Sequence, residues 1–272
     1  LIILGGGHVA LPVAEFGARV GFLVTVVDDR LSFANPGRFP MAEKVICDDF
    51  GHAIKNLKIQ ESDYICIVTR GHRHDADCLR MIGKGKEPAY LGMIGSRRRV
   101  GIVKQELLEE GYDPERMSRL KSPIGLKIGG VTPEEIAISI LAEIIQVKRM
   151  DREDKRVKNR SDLDFDVLKR LAEEPDESKA VVTVIESKGS SPRGAGAKMI
   201  VYRDGRILGS IGGGCSEAAV LGEARSLIGS GRYKVVHVDL TGEAAEDEGM
   251  VCGGIMDVLV EDFATDREPC DR

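Results

Sequence analysis

Gly5-x-Gly7-x-x-Ala10 follows the apolar run from Leu1 to Leu4. This is the spacing of a dinucleotide fingerprint. The first glycine permits a tight turn, the second lets the backbone approach a pyrophosphate, and Ala10 lets helix and strand pack closely. A phosphate there would face a helix N-terminus, where unpaired N–H groups and the helix dipole favour anions. Asp28 and Asp29 close the next apolar run and are placed to hold ribose hydroxyls. Two further anion-binding segments follow apolar runs. One is Thr69-Arg70-Gly71-His72-Arg73-His74-Asp75, in which Arg70 and His72 offer polar contacts to a ligand. A metal held by His72, His74 and Asp75 is the weaker alternative, because the loop spacing does not define a ligand set. The other is Gly95-Ser96-Arg97-Arg98-Arg99, in which Ser96 and Arg97 can grip a phosphate.

The second half carries different chemistry. Gly189 to Lys198 is too long and polar for an ordinary hairpin link. Ser190, Ser191, Arg193 and Lys198 could wrap an anionic ligand. Gly212-Gly213-Gly214-Cys215 predicts a thiol at a helix N-terminus, with Gly213 and Gly214 bringing backbone close to a ligand. Such a position lowers a cysteine pKa from about 8.5 toward about 3.5–7.5. Cys252, in Met250-Val251-Cys252-Gly253-Gly254, is a second glycine-flanked thiol. Two such thiols suggest a soft metal or sulfur chemistry; the bland alternative is two small residues in tight turns. Cys66 and Cys78 read as ordinary strand and helix positions.

The elements that position these residues follow from hydrophobic periodicity. Leu23–Val27, Val45-Ile46, Tyr64–Val68 and Tyr90–Ile94 are continuous apolar runs with helical stretches between. Continuous rather than alternating runs indicate a parallel sheet covered on both faces, hence a Rossmann-like α/β domain. Thr132-Pro133-Glu134-Glu135 predicts a capping box opening a helix, with Ile136, Ile140, Ile144 and Val147 on one face. Lys148 to Arg160 holds seven basic and three acidic residues. With no aromatic to stack a base, it reads as an exposed extension or linker rather than a nucleic-acid arm. Beyond it we expect a short helix from Leu163, a strand over Ala180–Glu186, and a hairpin with a two-residue turn at Asp204-Gly205. A helix to Leu227 and strands over Tyr233–Leu240 and Ile255–Val260 complete a smaller α+β domain. The predicted organisation is therefore residues 1–149, a charged linker over 150–161, and a Cys-bearing domain over 162–264.

The 272 residues suit two domains at about 150 residues each. Hydrophobic residues at 42% and charged residues at 31% describe a folded chain, not a disordered one. A net charge of -5 gives no overall field for a polyanion, and no run approaches the length of a membrane span. We therefore expect neither nucleic acid nor membrane as a partner. The six cysteines form no CxxC, which with the lack of an export signal predicts reduced thiols and a cytoplasmic location. The chain opens on Leu1 inside an apolar run, which predicts a fragment or a first strand without its start.

Several segments together resemble the xanthine dehydrogenase accessory factor (XdhC/CoxI) family. They are Gly5–Ala10, Val27–Arg30 with Phe33-Ala34 and Arg38–Pro40, Tyr90–Arg97, Ser122–Leu126 and Thr132–Ala137 in the first half. In the second half they are Gly189–Arg193, Gly196–Lys198, Gly209–Cys215 and Cys252–Gly254. The family usually places the Cys-bearing domain first; here the order is reversed. The resemblance implies an accessory protein rather than a turnover enzyme. It would bind molybdenum cofactor, as molybdopterin or its dinucleotide form, between its domains and protect it. It would then assist sulfuration and insertion into a xanthine dehydrogenase-type hydroxylase, with a cysteine desulfurase as sulfur donor and a homodimer as the expected assembly. On that reading Cys215 and Cys252 touch the metal or relay sulfur. Two alternatives stay open. One is an NAD(P)-dependent oxidoreductase using the glycine fingerprint, and the other a redox-sensing nucleotide-binding module without molybdenum.

Overall fold

A computed structural model describes residues 1–150, 164–174, 177–189, 193–239 and 254–263. The chain divides into two compact units, Leu1–Lys158 and Asn159–Arg272. Most of the charged stretch after Arg149, together with Ser190, Ser191, Cys252 and Cys270, lies outside the described residues.

The first unit is a doubly wound parallel sheet. Its strands are β1 (Ile2–Leu4), β2 (Thr25–Asp28), β3 (Lys44–Cys47), β4 (Tyr64–Ile67) and β5 (Tyr90–Met93), in the spatial order β3-β2-β1-β4-β5. All four pairings are parallel. Alternate residues of the short strands feed opposite faces, which is why the runs read as continuously apolar. Leu4, Ile65, Ile67 and Met93 pack under α2 (Phe50–Leu57), α3 (His72–Gly83) and α4 (Arg97–Glu109). Ile3, Val26, Cys66 and Tyr90 pack under α1 (Ala10–Arg19) and α6 (Pro133–Met150). A short α5 (Pro114–Arg119) lies between α4 and α6 in the chain.

Local chemistry explains the element ends. The capping box at Thr132 forms as read: the Glu135 carboxylate accepts from the Val131 and Thr132 amides at 2.7 and 3.1 Å, and the Glu135 amide donates to Thr132 Oγ1 at 3.3 Å. Ile140 and Ile144 are fully buried on the predicted face. The chain reverses at β1, so β4 and β5 lie on one side and β2 and β3 on the other. In such sheets ligands bind beyond the carboxyl ends at this switch point.

The second unit is a smaller antiparallel sheet with two helices among its described residues. Its strands are β6 (Lys179–Gly189), β7 (Lys198–Tyr202), β8 (Ile207–Gly209), β9 (Tyr233–Asp239) and β10 (Gly254–Phe263), ordered β8-β7-β6-β10-β9. The helix α8 (Gly214–Leu227) covers one face, packing Val220, Ala224 and Leu227 on Val182, Val201, Val258 and Val260. The helix α7 (Phe165–Glu173) puts Val167 against Ile200 and Tyr202 on the other.

The β7–β8 turn differs from the expected two-residue link. The Tyr202 amide donates to Arg206 O and the Gly205 amide to Tyr202 O, each at 3.0 Å. The loop is therefore Arg203-Asp204-Gly205, with Gly205 at φ +91°. Gly205 takes the left-handed position of a three-residue hairpin, and Asp204 fixes it by accepting from the Arg206 amide at 3.0 Å.

Candidate functional site

The glycine turn after β1 is built by close packing on two of its three glycines. A Cβ on Gly5, whose φ is +114°, would stand 2.5 Å from Val68 O, and one on Gly6 would stand 2.3 Å from Phe33 O. Gly7 is different: a Cβ there would meet nothing within 4 Å. Gly5 and Gly6 thus seat the turn against the ends of neighbouring segments, whereas Gly7 faces open space. Ala10 is fully buried at the start of α1, as close helix–strand packing requires.

Asp28 has a different job from the expected one. Its carboxylate is almost fully buried. One oxygen accepts from the Gly6 amide at 2.8 Å and Arg30 Nη2 at 3.0 Å, the other from the Arg30 amide at 3.0 Å and Arg30 Nε at 2.9 Å. With each oxygen engaged twice, nothing is left for a ribose diol. Asp28 instead ties the glycine turn to the end of β2. Its partner Arg30 lies 3.7 Å over the Phe33 ring. Arg38 donates to Gly6 O at 3.1 Å and Gly7 O at 3.4 Å, adding a cation behind the turn. Sequence reasoning missed both arginines as site residues. The one signal available was the Asp28-x-Arg30 spacing.

Asp29 and Arg70 also find each other, through a two-point contact of 2.5 and 2.8 Å. The Arg70 guanidinium holds the Asp29 carboxyl at about 2, well below its ordinary 3.8. Asp75, considered above as a metal ligand, is fully buried. It accepts from Thr69 Oγ1 at 2.5 Å and is paired with Arg99 Nη2. This is a polar strut holding the β4 end to α4, not an open ligand. His72 is the first residue of α3, and His74 packs its ring on Phe50 with centroids 5.5 Å apart. No group of three metal-ligating side chains occurs among the described residues. Ser96 caps α4 by accepting from the Arg99 amide at 3.3 Å. Arg97 and Arg98 are exposed on the same rim. The carboxyl rim of the first unit therefore carries Gly5–Gly7, Asp28, Asp29, Arg70, Ser96 and Arg97, two carboxylates and two cations among them, with Asp29 and Arg70 paired to each other.

In the second unit Gly213 is the N-cap of α8, and Cys215 lies in the first turn. Gly212 and Gly213 have φ of +137° and +76°. Among the described residues, nothing lies within 4 Å of a Cβ built on Gly213. The loop is pinned by a residue that sequence reasoning missed. Glu217 Oε1 accepts from Ser210 Oγ at 2.6 Å and from the Gly213 amide at 3.0 Å. Ser210 Oγ in turn accepts from the Gly212 amide at 3.1 Å, and Ser216 Oγ donates to Gly213 O at 2.7 Å. One amide that would otherwise face an anion is thus already satisfied. Cys215 is half-buried, with its apolar side on the core under α8. Lys198 lies in β7 and donates to Thr183 Oγ1 at 2.8 Å, on the adjacent strand.

The thiols fall into distinct environments. Cys66 and Cys78 are buried, and desolvation pushes the Cys66 thiol up to about 12 and Cys78 further still. Cys47 is exposed at the end of β3. No helix of the described residues is long and apolar enough to cross a membrane.

Comparison with known proteins identifies both units. The family model described as the XdhC Rossmann domain matches residues 1–144, and that described as the XdhC and CoxI family matches residues 172–239. The chain is 37% identical over 149 residues to the uncharacterized protein YqeB of Escherichia coli (strain K12), covering 54% of this chain and 27% of the relative. It is 32% identical over 149 residues to a probable xanthine dehydrogenase subunit from Bacillus subtilis (strain 168), covering 55% of this chain and 43% of the relative. It is 40% identical over 74 residues to the molybdenum cofactor insertion chaperone PaoD of E. coli (strain K12), covering 27% and 23%. A crystal structure of a xanthine dehydrogenase from Bacillus halodurans matches with a TM-score of 0.50 at 34% identity, over 56% of this chain and 43% of that one. The chain thus spans less than half the length of these curated relatives.

Proposed function

Because the XdhC Rossmann-domain match covers more than half of its length, this chain belongs to the XdhC family, and we propose that it is a maturation factor that binds and delivers molybdenum cofactor. The observation that carries the reading is the setting of Cys215. The thiol lies in the first turn of a helix, two residues after Gly213, where no described residue would meet an added Cβ within 4 Å. A thiolate there is favoured by the helix dipole and is a soft ligand suited to molybdenum or sulfur. The relative named as a cofactor insertion chaperone supports the same class of function.

The residues present fit such a group. In the second unit no described residue lies within 4 Å of a Cβ built on Gly213, which leaves backbone in the same loop as Cys215 for a ligand to approach. The first unit, taken by itself, offers Arg70, Arg97 and Arg98 on its rim, cations suited to phosphate oxygens. Molybdenum cofactor supplies oxygen-atom and hydride chemistry to hydroxylases; the task of this chain is to hold and hand it on. In that task Glu217 keeps the glycine loop in shape, Cys215 presents sulfur, and Cys252 is the second candidate thiol. Delivery to a xanthine dehydrogenase-type hydroxylase, sulfuration with a cysteine desulfurase, and action as a cytoplasmic homodimer complete the proposal. The domain limits proposed are 1–149 and 162–264, joined by the charged stretch. Dinucleotide binding at the glycine turn remains the rival reading, but the acceptors of Asp28 that an NAD ribose would use are already taken.

The test is purification of the intact chain from cells that make the cofactor, with molybdenum quantified. The parent is expected to carry molybdenum, Cys215→Ser to lose most of it while folding normally, and the exposed control Cys47→Ser to keep it. Equal molybdenum in Cys215→Ser and the parent would overturn the assignment of the thiol.

A further inference from the structure

Two aspartate–arginine pairs stand side by side on the carboxyl rim, and they are built for different purposes. The Asp28–Arg30 pair is buried on its acidic side and its carboxylate also holds the Gly6 amide. Breaking it would release the turn itself. The Asp29–Arg70 pair is partly open to solvent, with side-chain exposures of 27% and 42%, and carries no backbone of the turn. Exposed pairs of this kind contribute little to stability, so their exchange is cheap.

The second pair is also placed where exchange would matter. Asp29 follows β2 and Arg70 follows β4, and β1 lies between these strands. Two strand spacings amount to about 10 Å. The ion pair therefore bridges the carboxyl end of β1, the strand that leads into the glycine turn. Arg38 is anchored on the carbonyls of Gly6 and Gly7, and no described residue lies within 4 Å of a Cβ built on Gly7.

We propose that Arg70 is a phosphate ligand held in reserve by Asp29, and that exchange of this carboxylate for a ligand phosphate makes the rim selective for phosphorylated ligands over those offering only hydroxyls. The proposal rests on the reading that this rim receives a phosphorylated cofactor. Geometry favours the exchange. The guanidinium fork already makes two parallel N–H···O contacts to Asp29, and a phosphate accepts the same fork. Asp28 supplies the other half of the selectivity, since its filled acceptors leave a diol unrecognised. Asp29 stays ionised throughout the neutral range, so Arg70 is held oriented before a ligand arrives.

The test titrates inorganic pyrophosphate into the intact chain by calorimetry at low salt. Parent, Asp29→Asn, Arg70→Gln and the double variant are compared. Removing Asp29 frees Arg70 and is expected to tighten binding by about three- to fivefold, the size of an exposed ion pair. Arg70→Gln is expected to weaken it at least about tenfold, as loss of a bidentate charged contact does. Asp29 also lies 3.8 Å from Arg30 Nε, so the double variant reports how much of its effect runs through Arg70: the gain on removing Asp29 should be clearly smaller in the Arg70→Gln background than in the parent, and an equal gain in both overturns the proposal. Adenosine, with the diol and no phosphate, should not bind. No pyrophosphate binding by the parent, unchanged or weaker binding by Asp29→Asn, or adenosine binding as tightly as pyrophosphate overturns the proposal. Molybdenum measured on the same preparations separates the two readings. Arg70-dependent pyrophosphate binding in a parent without molybdenum sinks the cofactor reading and leaves the exchange. A molybdenum-bearing parent whose pyrophosphate affinity ignores Asp29 does the reverse.

Discussion

Gly6 and Gly7 are neighbours with opposite tolerances, and alanine at each separates scaffold from ligand surface. At Gly6 the new methyl would lie 2.3 Å from Phe33 O. The clash is with backbone, so the turn must move. Overpacking of this sort costs about 1–3 kcal/mol. Movement also endangers the 2.8 Å bond from the Gly6 amide to Asp28, and a hydrogen bond to a charged group is worth about 1.5–3 kcal/mol. Gly6→Ala should therefore cost about 2–5 kcal/mol. For a unit of this size each kcal/mol lowers Tm by about 2–4 °C, which predicts a fall of about 4–20 °C. Gly7 has an ordinary backbone and open space, so Gly7→Ala should be neutral or stabilising by up to about 1 kcal/mol. A ligand seated on that backbone would nevertheless meet the methyl, and its affinity should fall. Differential scanning calorimetry of the intact chain measures the first effect and titration with pyrophosphate the second. A Gly6→Ala protein melting with the parent, or a Gly7→Ala protein destabilised as much as Gly6→Ala, would refute the reasoning.

Three further outcomes are expected. Asp29 has its pKa depressed from 3.8 to about 2 by Arg70, so its contribution is fully present above about pH 4 and fades as pH falls toward 2; the stability difference between parent and Asp29→Asn, followed by denaturation against pH, should close over that window and stay constant above it. Asp262, buried in β10, accepts from the Gly229 and Gly231 amides at 2.9 and 2.7 Å, so Asp262→Ala leaves two donors without their acceptor and should destabilise the second unit by about 2–4 kcal/mol in urea unfolding. Native alkylation at pH 8 with peptide mapping should label exposed Cys47 and spare Cys66, whose thiol is raised to about 12 by burial; label at Cys66 before unfolding would contradict the packing of β4.

The fold was legible because its signals are local. Runs such as Tyr64–Val68 are apolar at every position only when both faces of a strand are covered, so they announce a parallel sheet. The Thr132–Glu135 box and the Gly212–Cys215 helix start are likewise written in adjacent residues. The hairpin turn was misjudged by one residue, because Asp-Gly is compatible with two loop lengths and only the Tyr202–Arg206 pairing decides. The site was less legible because its partners come from distant segments. Asp28 carries the residue type and place of a ribose ligand, yet Arg30 and the Gly6 amide consume it. Arg70 and Asp29 are separated by two strands and a helix in sequence, and no spacing rule pairs them. Glu217 reads as a routine first-turn acid, and only the folded loop shows it gathering Ser210 and Gly213.

The order of strands in the second unit has a consequence for how the protein is made. β10 is the last described strand in the chain, yet it sits between β6 and β9, pairing Gly254 with Gly189 at one end and Phe263 with Lys179 at the other. Until that segment has left the ribosome, β6 and β9 have no partner between them. Val182 and Val184 then wait on an unpaired strand edge, with α8 already synthesised but lacking Met256, Val258 and Val260 from the core it covers. Long-range strand pairing is slow because loop closure must precede any reward. The thiol-bearing half is thus exposed to aggregation during its own synthesis, and cells that raise its expression rate should recover more of it when translation is slowed or holding chaperones are abundant.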